Sequence, residues 1–378
     1  MNNFLSKIEN FICYFCFSII ITFPIFQILS RSIDFFSIPA SQEIVQHMTL
    51  WIAFMGAVLA ARSNRLLAVV REPVFKPSPE FNIGYFLVHA VSVSVVFLLA
   101  VSYLKMIQIG IQYPDFIAPF ITVWFAQSII PVGLFLIWYH MIMTSSDKLN
   151  YRLFLVFCSF LAILVFYYWQ SPYSNEILLT IQVLCTLALV AFGLPIFVVL
   201  AALSIIFFLS EPNEWTTNFN LISTISDSAY SIVVRPTLAA IPIFTLAGYL
   251  LAESNISRRL LDFFKTSFGW LPGSTVLIVV LLCAFFTALT GGSGITILAL
   301  GAVLYPVLVE DGYSKMFSLG LVTAAGSLGL LFPPSLPAII YSVTAGINPI
   351  DLFKQGFLPA LFLLLVVVLY GFYHRPNK

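Results

Sequence analysis

Long apolar runs separated by short polar stretches make up most of the chain. They fall at Phe11–Leu29, Val45–Ala61, Ile83–Tyr103, Ile117–Met143, Arg152–Trp169, Ile177–Leu209, Thr237–Ala252, Val276–Val309, Phe317–Val343 and Gly356–Tyr373. Most of these approach or exceed the roughly 20 residues a helix needs to cross hydrocarbon. Periodicity cannot separate helix from strand in such uniform runs, but length and lipid burial can. Backbone groups in lipid must be satisfied within the segment, so helices are predicted. Barrel strands would alternate apolar and polar over about ten residues, and these runs do not. The pattern predicts an all-α polytopic membrane protein with about nine or ten spans.

Composition agrees. Of 378 residues, 60% are apolar and 9% charged, against about 25% charged in soluble domains, and the mean hydropathy is +1.02. A net charge of +1 carries no polyanion signature, so no nucleic-acid partner is expected and the bilayer is the expected surroundings. The run from Phe11 is long, contains Pro24 and ends without a small-residue cleavage site, so it reads as a retained first span. Cys13 and Cys16 are formally a C-x-x-C pair, but apolar surroundings make them packing residues and imply no disulfide framework.

Basic residues orient the runs, because positive charge stays cytoplasmic. Counting Ile177–Leu209 as an out-in-out pair broken at Pro195 leaves only Arg31, Lys105, Arg235 and Lys354 outside. The other thirteen of seventeen basic residues lie inside, including Lys7, Arg62, Arg65, Arg71, Lys76, Lys148 and Lys378. Both termini are then cytoplasmic. Polar stretches at Thr144–Asn150 and Ser171–Glu176 divide the chain into a four-helix membrane module (1–150), a connecting transmembrane helix (151–170) and a segment with interrupted helices (171–378). Ser257–Trp270 is amphipathic, with Leu260, Leu261, Phe264 and Phe268 near one face, which suits an interfacial arm.

The residues that carry chemistry lie in the last third. Thr290-Gly291-Gly292-Ser293-Gly294 interrupts a 34-residue apolar stretch near its middle. Limbs of about 15 residues reach only about 22 Å, so a helical hairpin whose tip stops inside the membrane is predicted. Further on, Gly326-Ser327-Leu328-Gly329 and Phe332-Pro333-Pro334-Ser335 break a second stretch. Pro333 and Pro334 remove two donors and leave upstream carbonyls free. Free carbonyls, serine hydroxyls and half-helix ends near the midplane suit a small cation and an anionic substrate, the design of discontinuous helices in secondary transporters. Elsewhere, Glu310-Asp311 reads as solvated loop charge, and His89 and His140 as hydrated histidines near the inner interface. An intramembrane enzyme would need a convergent acid, base or ligand set. None is visible, so no catalytic residues and no cofactor are expected.

Several motifs occur in order: Gly193-Leu194-Pro195, Ala240-Ile241-Pro242-Ile243-Phe244, Ala247-Gly248, Arg259-Leu260, Thr290-Gly291-Gly292-Ser293, Asp311-Gly312-Tyr313, Gly329 through Ser335, and Phe357-Leu358-Pro359. From about Ile177 onward the chain resembles the first half of the large membrane subunit of tripartite ATP-independent periplasmic (TRAP) transporters. Trp51, Phe54, Gly56-Ala57 and Arg62 resemble the small subunit of that family, although Asn64-Arg65 stands where the family commonly has His. The resemblance implies a fused permease of elevator type in the bacterial inner membrane. It further implies sodium (Na+) as coupling ion and an organic-acid substrate delivered by a periplasmic solute-binding protein. Thr290–Gly294 and Gly326, Ser327, Gly329, Pro333, Pro334 and Ser335 match the places where the family builds its first sodium site and one wall of its substrate site. The family's large subunit has two inverted repeats, and one is visible here. The bias of basic residues argues against oppositely inserted copies. The expectation is therefore a chain that needs its second half from another polypeptide, or a truncated or accessory subunit that does not transport alone.

Overall fold

The computed structural model describes residues 2–33, 40–70, 83–119, 121–168, 176–210, 218–254, 256–271 and 273–376. The polar stretch over 171–175, the inner basic residues Arg71 and Lys76, and Lys378 lie outside the described residues. The chain is an all-α polytopic membrane protein, as its apolar runs predict. It divides into two compact units, Met1–Val234 and Arg235–Lys378, a division that falls beyond both boundaries read from the polar stretches.

The first unit contains α1 (Asn2–Ile33), α2 (Ser41–Arg62), α3 (Ile83–Gln112), a small antiparallel ribbon of β1 (Phe116–Ala118) and β2 (Ile121–Thr122), α4 (Val123–Gln127), α5 (Ile129–Ser145), α6 (Leu149–Tyr168), α7 (Glu176–Val190), α8 (Ile196–Ser210) and α9 (Asn218–Val233). The ribbon replaces the start of the predicted run Ile117–Met143, because Pro114 and Pro119 remove donors a helix would use. The predicted break in Ile177–Leu209 is present: Gly193 turns at φ 92 before Pro195. Helix α9 has no counterpart among the apolar runs, since Ser and Asp interrupt its hydropathy.

In the second unit a 3-10 turn at Pro236–Ala239 leads into α10 (Ala240–Glu253), α11 (Ile256–Phe268), α12 (Ser274–Thr290), α13 (Ser293–Glu310) and α14 (Lys315–Leu328). A second 3-10 turn at Gly329–Leu331 precedes α15 (Leu336–Ala345) and α16 (Pro349–Tyr373). Among the described residues six helices are long and apolar enough to cross a membrane, or up to seven if Ser223–Val233 and Pro236–Leu251 are counted as one broken span. Fewer runs qualify than the nine or ten predicted, because Ser274–Thr290, Ile177–Val190 and Ile196–Phe208 are short helices.

Each unit has its own apolar core. Leu50, Val58, Val93, Val96, Tyr103, Leu155 and Val198 centre the first, and Val279, Leu282, Phe286, Leu300, Leu304 and Val322 the second. The apolar face of α11 is committed to this second core through Leu260, Leu261 and Phe264.

The first unit also holds a buried charge cluster that the polar pattern hid. Glu9 is 1% exposed and accepts from Arg62 Nη1 at 2.6 Å and from His140 Nε2 at 2.7 Å. Arg62 also donates to Ser6 Oγ and Asn10 Oδ1. His140 is thus an enclosed partner of Glu9 and not a hydrated interfacial histidine. His89 bonds the Tyr85 carbonyl of its own helix at 2.8 Å.

Candidate functional site: a hairpin tip against a helix break

Helices α12 and α13 form the predicted hairpin. With 17 and 18 residues they reach about 25–27 Å, short of the roughly 30 Å hydrocarbon thickness. Their feet are tied by Thr275 Oγ1, which donates to the Asp311 carboxylate. Asp311 is therefore a bonded part of the hairpin base rather than loop charge left to water.

The tip is made by two glycines with different tasks. Gly291 closes α12 in the left-handed region at φ 68, its N–H donating to the Thr287 carbonyl at 2.8 Å. Gly292 is extended and precedes α13. A Cβ on Gly291 would drive into the Leu336 side chain at the start of α15. Conformation and close approach both require glycine there. Around this turn Thr290 Oγ1 lies 3.0 Å from Thr296 Oγ1, and the Gly292 carbonyl accepts from both hydroxyls at 3.4 Å and from the Thr296 N–H at 3.3 Å. Thr287, Thr290 and Thr296 are buried, and the Thr287 hydroxyl has no partner among the described residues.

The second break comes to this turn. Helix α14 ends at Leu328, passes through the 3-10 turn, and runs extended at Phe332 and Ser335 before α15. The Pro333–Pro334 peptide is cis. Three further glycines allow the approach. A Cβ on Gly326 would stand 3.6 Å from the Ser293 carbonyl, one on Gly329 would strike Ala284 and Thr287, and one on Gly248 of α10 would lie 2.8 Å from Thr290 Cα. Tip and break therefore form one locus, with backbone nearly touching backbone.

The predicted residues occupy it unequally. Thr290 and Ser335 are inside, and Ser335 Oγ caps α15 by accepting from the Ala338 N–H. Gly291, Gly292 and Ser293 are half-buried. Gly294, Ser327 and Pro333 are exposed, with the Ser327 hydroxyl turned back to the Thr323 carbonyl at 3.4 Å. Gly326 and Gly329 are the contact points, and Pro334 is half-buried beside them. Thr287 and Thr296 belong to the locus although the residue pattern did not single them out. Their signal is the three-residue spacing of Thr287, Thr290, Ser293 and Thr296 across the break between α12 and α13. The buried polar side chains gathered here, Thr287, Thr290, Thr296 and Ser335, are all hydroxyls, whose oxygen is the ligand type a hard cation takes. A cavity of about 280 Å³ lies elsewhere, in the first unit, bounded by Asn64, Tyr85, His89, Ser92, Thr144 and Gly193.

The chain has known relatives. The family model described as "Tripartite ATP-independent periplasmic transporter, DctM component" matches residues 183–377. The isethionate TRAP transporter permease protein DctMQ of Oleidesulfovibrio alaskensis is 34% identical over 157 residues, 42% of this chain and 25% of that protein. The C4-dicarboxylate TRAP transporter large permease protein DctM of Vibrio cholerae is 32% identical over 180 residues, 47% of this chain and 39% of that protein. The ectoine TRAP transporter large permease protein TeaC of Halomonas elongata is 30% identical over 192 residues, 50% of this chain and 44% of that protein. The chain thus spans from a quarter to under half the length of these relatives. Both the hairpin and the helix break fall within the matched region, which takes in just over half the chain, and the chain belongs to the tripartite ATP-independent periplasmic transporter DctM component family.

Proposed function

We propose that this chain is the membrane component of a sodium-coupled secondary transporter that imports an organic acid delivered by a periplasmic solute-binding protein. The observation that carries the reading is the meeting of hairpin tip and helix break around Thr287, Thr290 and Thr296. Carbonyls freed at the breaks and buried hydroxyls supply oxygen ligands for Na+, and the α13 N-terminus presents N–H groups to a carboxylate. The relatives' names, covering C4-dicarboxylate, ectoine and isethionate transport, support a small polar organic substrate. Residues 1–150 would act as the small-subunit module, 151–170 as the connecting helix and 171–378 as permease, in the inner membrane with both termini cytoplasmic. Transport would proceed by movement of the hairpin-bearing part against a scaffold, in the elevator manner. Uptake of radiolabelled C4-dicarboxylate into proteoliposomes, with the binding protein outside and an inward sodium gradient, tests this. Dependence on sodium that disappears in Gly292→Val is expected, and uptake indifferent to sodium overturns the coupling.

A second reading rests on the share of the relatives that the chain covers: an accessory membrane subunit that transports only with a further polypeptide. Uptake by the chain and binding protein alone would overturn it. Uptake restored only by co-expression with the remainder of a DctM-like subunit supports it.

A further inference from the structure

The cavity in the first unit has no part in the transport reading. It encloses about 280 Å³, close to the lower limit of about 300 Å³ for small-molecule sites. Its walls come from both sides of a seam in the chain. On one side are the segment after α2 and the facing ends of α3 and α5. On the other is the α7–α8 turn with Phe192, Gly193 and Pro195, inside the family-matched segment. The seam is bonded shut: Ala68 bridges Pro195, and the Ile196 N–H donates to the Leu67 carbonyl at 2.9 Å. Gly193 has φ 92, and a Cβ there would stand 3.0 Å from the Val70 carbonyl oxygen. Fixed backbone therefore holds this wall in place.

The lining chemistry is one-sided. No Asp, Glu, Lys or Arg lines the cavity among the described residues, so a charged ligand would be desolvated there without a counter-charge. Val88, Met141, Phe192 and Pro195 supply apolar wall. The polar groups lean towards acceptance. His89 Nδ1 lies 2.8 Å from the Tyr85 carbonyl. A carbonyl can only accept, so Nδ1 carries the proton and Nε2 of the neutral ring is an acceptor. The Thr144 hydroxyl spends its proton on the His140 carbonyl at 2.9 Å, which leaves its oxygen to accept. Ser92, one turn after His89, is 1% exposed, and its hydroxyl has no partner among the described residues. Buried polar groups are normally satisfied by something.

We propose that this cavity binds a small uncharged amphiphile, an alcohol or phenol, at a site distinct from that of the transported acid. The ligand O–H donates to His89 Nε2, its oxygen accepts from the Ser92 hydroxyl once that side chain turns to it, and its apolar body lies against Phe192 and Met141. A carboxylate is refused, because it brings an acceptor to an acceptor and a charge to a wall without a counter-charge. The bound ligand touches both sides of the seam. The inference goes beyond the transport reading and needs neither sodium coupling nor uptake. In the orientation proposed above these helix ends lie at the cytoplasmic face.

Photolabelling of the purified full chain in nanodiscs with a diazirine-bearing octanol, mapped by peptide mass spectrometry, tests the site. Labelling of peptides that carry residues 88–92 and 192–195 is expected to saturate. Competitors are compared at equal membrane concentration. Phenylethanol should displace the label about tenfold better than phenylacetate, which has the same ring but a charge. It should do so about fivefold better than ethylbenzene, which has the ring but no donor. Ala68→Phe adds a ring to the cavity wall and should lower saturable labelling about tenfold or more. Labelling that does not saturate, that phenylacetate or ethylbenzene displaces equally well, or that persists in Ala68→Phe overturns the proposal. Should Ala68→Phe fail to fold, His89→Leu decides it. Phenylethanol and ethylbenzene should then compete equally, and a surviving preference for the alcohol overturns the proposal.

Discussion

Gly291 and Gly294 stand three residues apart in one turn and face opposite demands. Gly291 has φ 68 and abuts Leu336, whereas Gly294 lies in helix with nothing within 4 Å of a built Cβ. A left-handed conformation costs a non-glycine residue about 1–2 kcal/mol, and the Leu336 clash adds to it. Gly291→Ala should lower the thermal unfolding midpoint of the solubilised chain, while Gly294→Ala should leave it unchanged or raise it through better helix propensity, worth about 0.5–1 kcal/mol. Equal effects at both positions would contradict the tip geometry. The Glu9 cluster makes a second residue-scale prediction. Glu9→Gln should cost on the order of 2–3 kcal/mol in chemical unfolding, less than a wholly buried pair because the Arg62 side chain is 31% exposed. A cost below about 0.5 kcal/mol, the size of ordinary surface changes, would mean the cluster does not hold α1.

Among the elements, α11 gives the clearest separation of packing from lipid contact. Leu261 is 6% exposed and Phe263 61%. Leu261→Ala should cost about 2–4 kcal/mol as a core truncation, and Phe263→Ala in detergent almost nothing. The reverse order would place α11 on the membrane surface instead. What the sequence revealed about the elements follows from how loudly each residue type speaks. Glycine pairs and consecutive prolines break apolar runs, so the tip, the Pro195 turn and the Gly326–Ser335 break are visible without coordinates. Glu9 is not, because one carboxylate at the start of a helix looks like a solvated flank until Arg62 and His140 are brought to it. Helix α9 is equally silent, since Ser223, Ser226 and Asp227 lower its hydropathy while packing supplies its helical stability. Thr287 and Thr296 read as tolerated polar residues until the hairpin folds them toward Thr290.

For the whole molecule, the proposed direction across the bilayer rests on the distribution of basic residues. Cysteines placed at Arg65 and at Lys354, with native thiols blocked, should react with an impermeant maleimide from opposite sides in intact cells and inverted vesicles. Arg65→Cys should label only from the cytoplasmic side, and labelling from outside would reverse the proposed topology. The central claim is that tip and break together hold a cation. Its most direct test is the thermal unfolding of the purified chain in sodium chloride against choline chloride at equal ionic strength. Binding to the folded state raises the midpoint with ligand concentration. Sodium should therefore raise it in the wild type, and Thr290→Val, which removes one hydroxyl at nearly constant shape, should abolish the rise. A wild type with identical midpoints in the two salts, or a rise that persists in Thr290→Val, would contradict the claim.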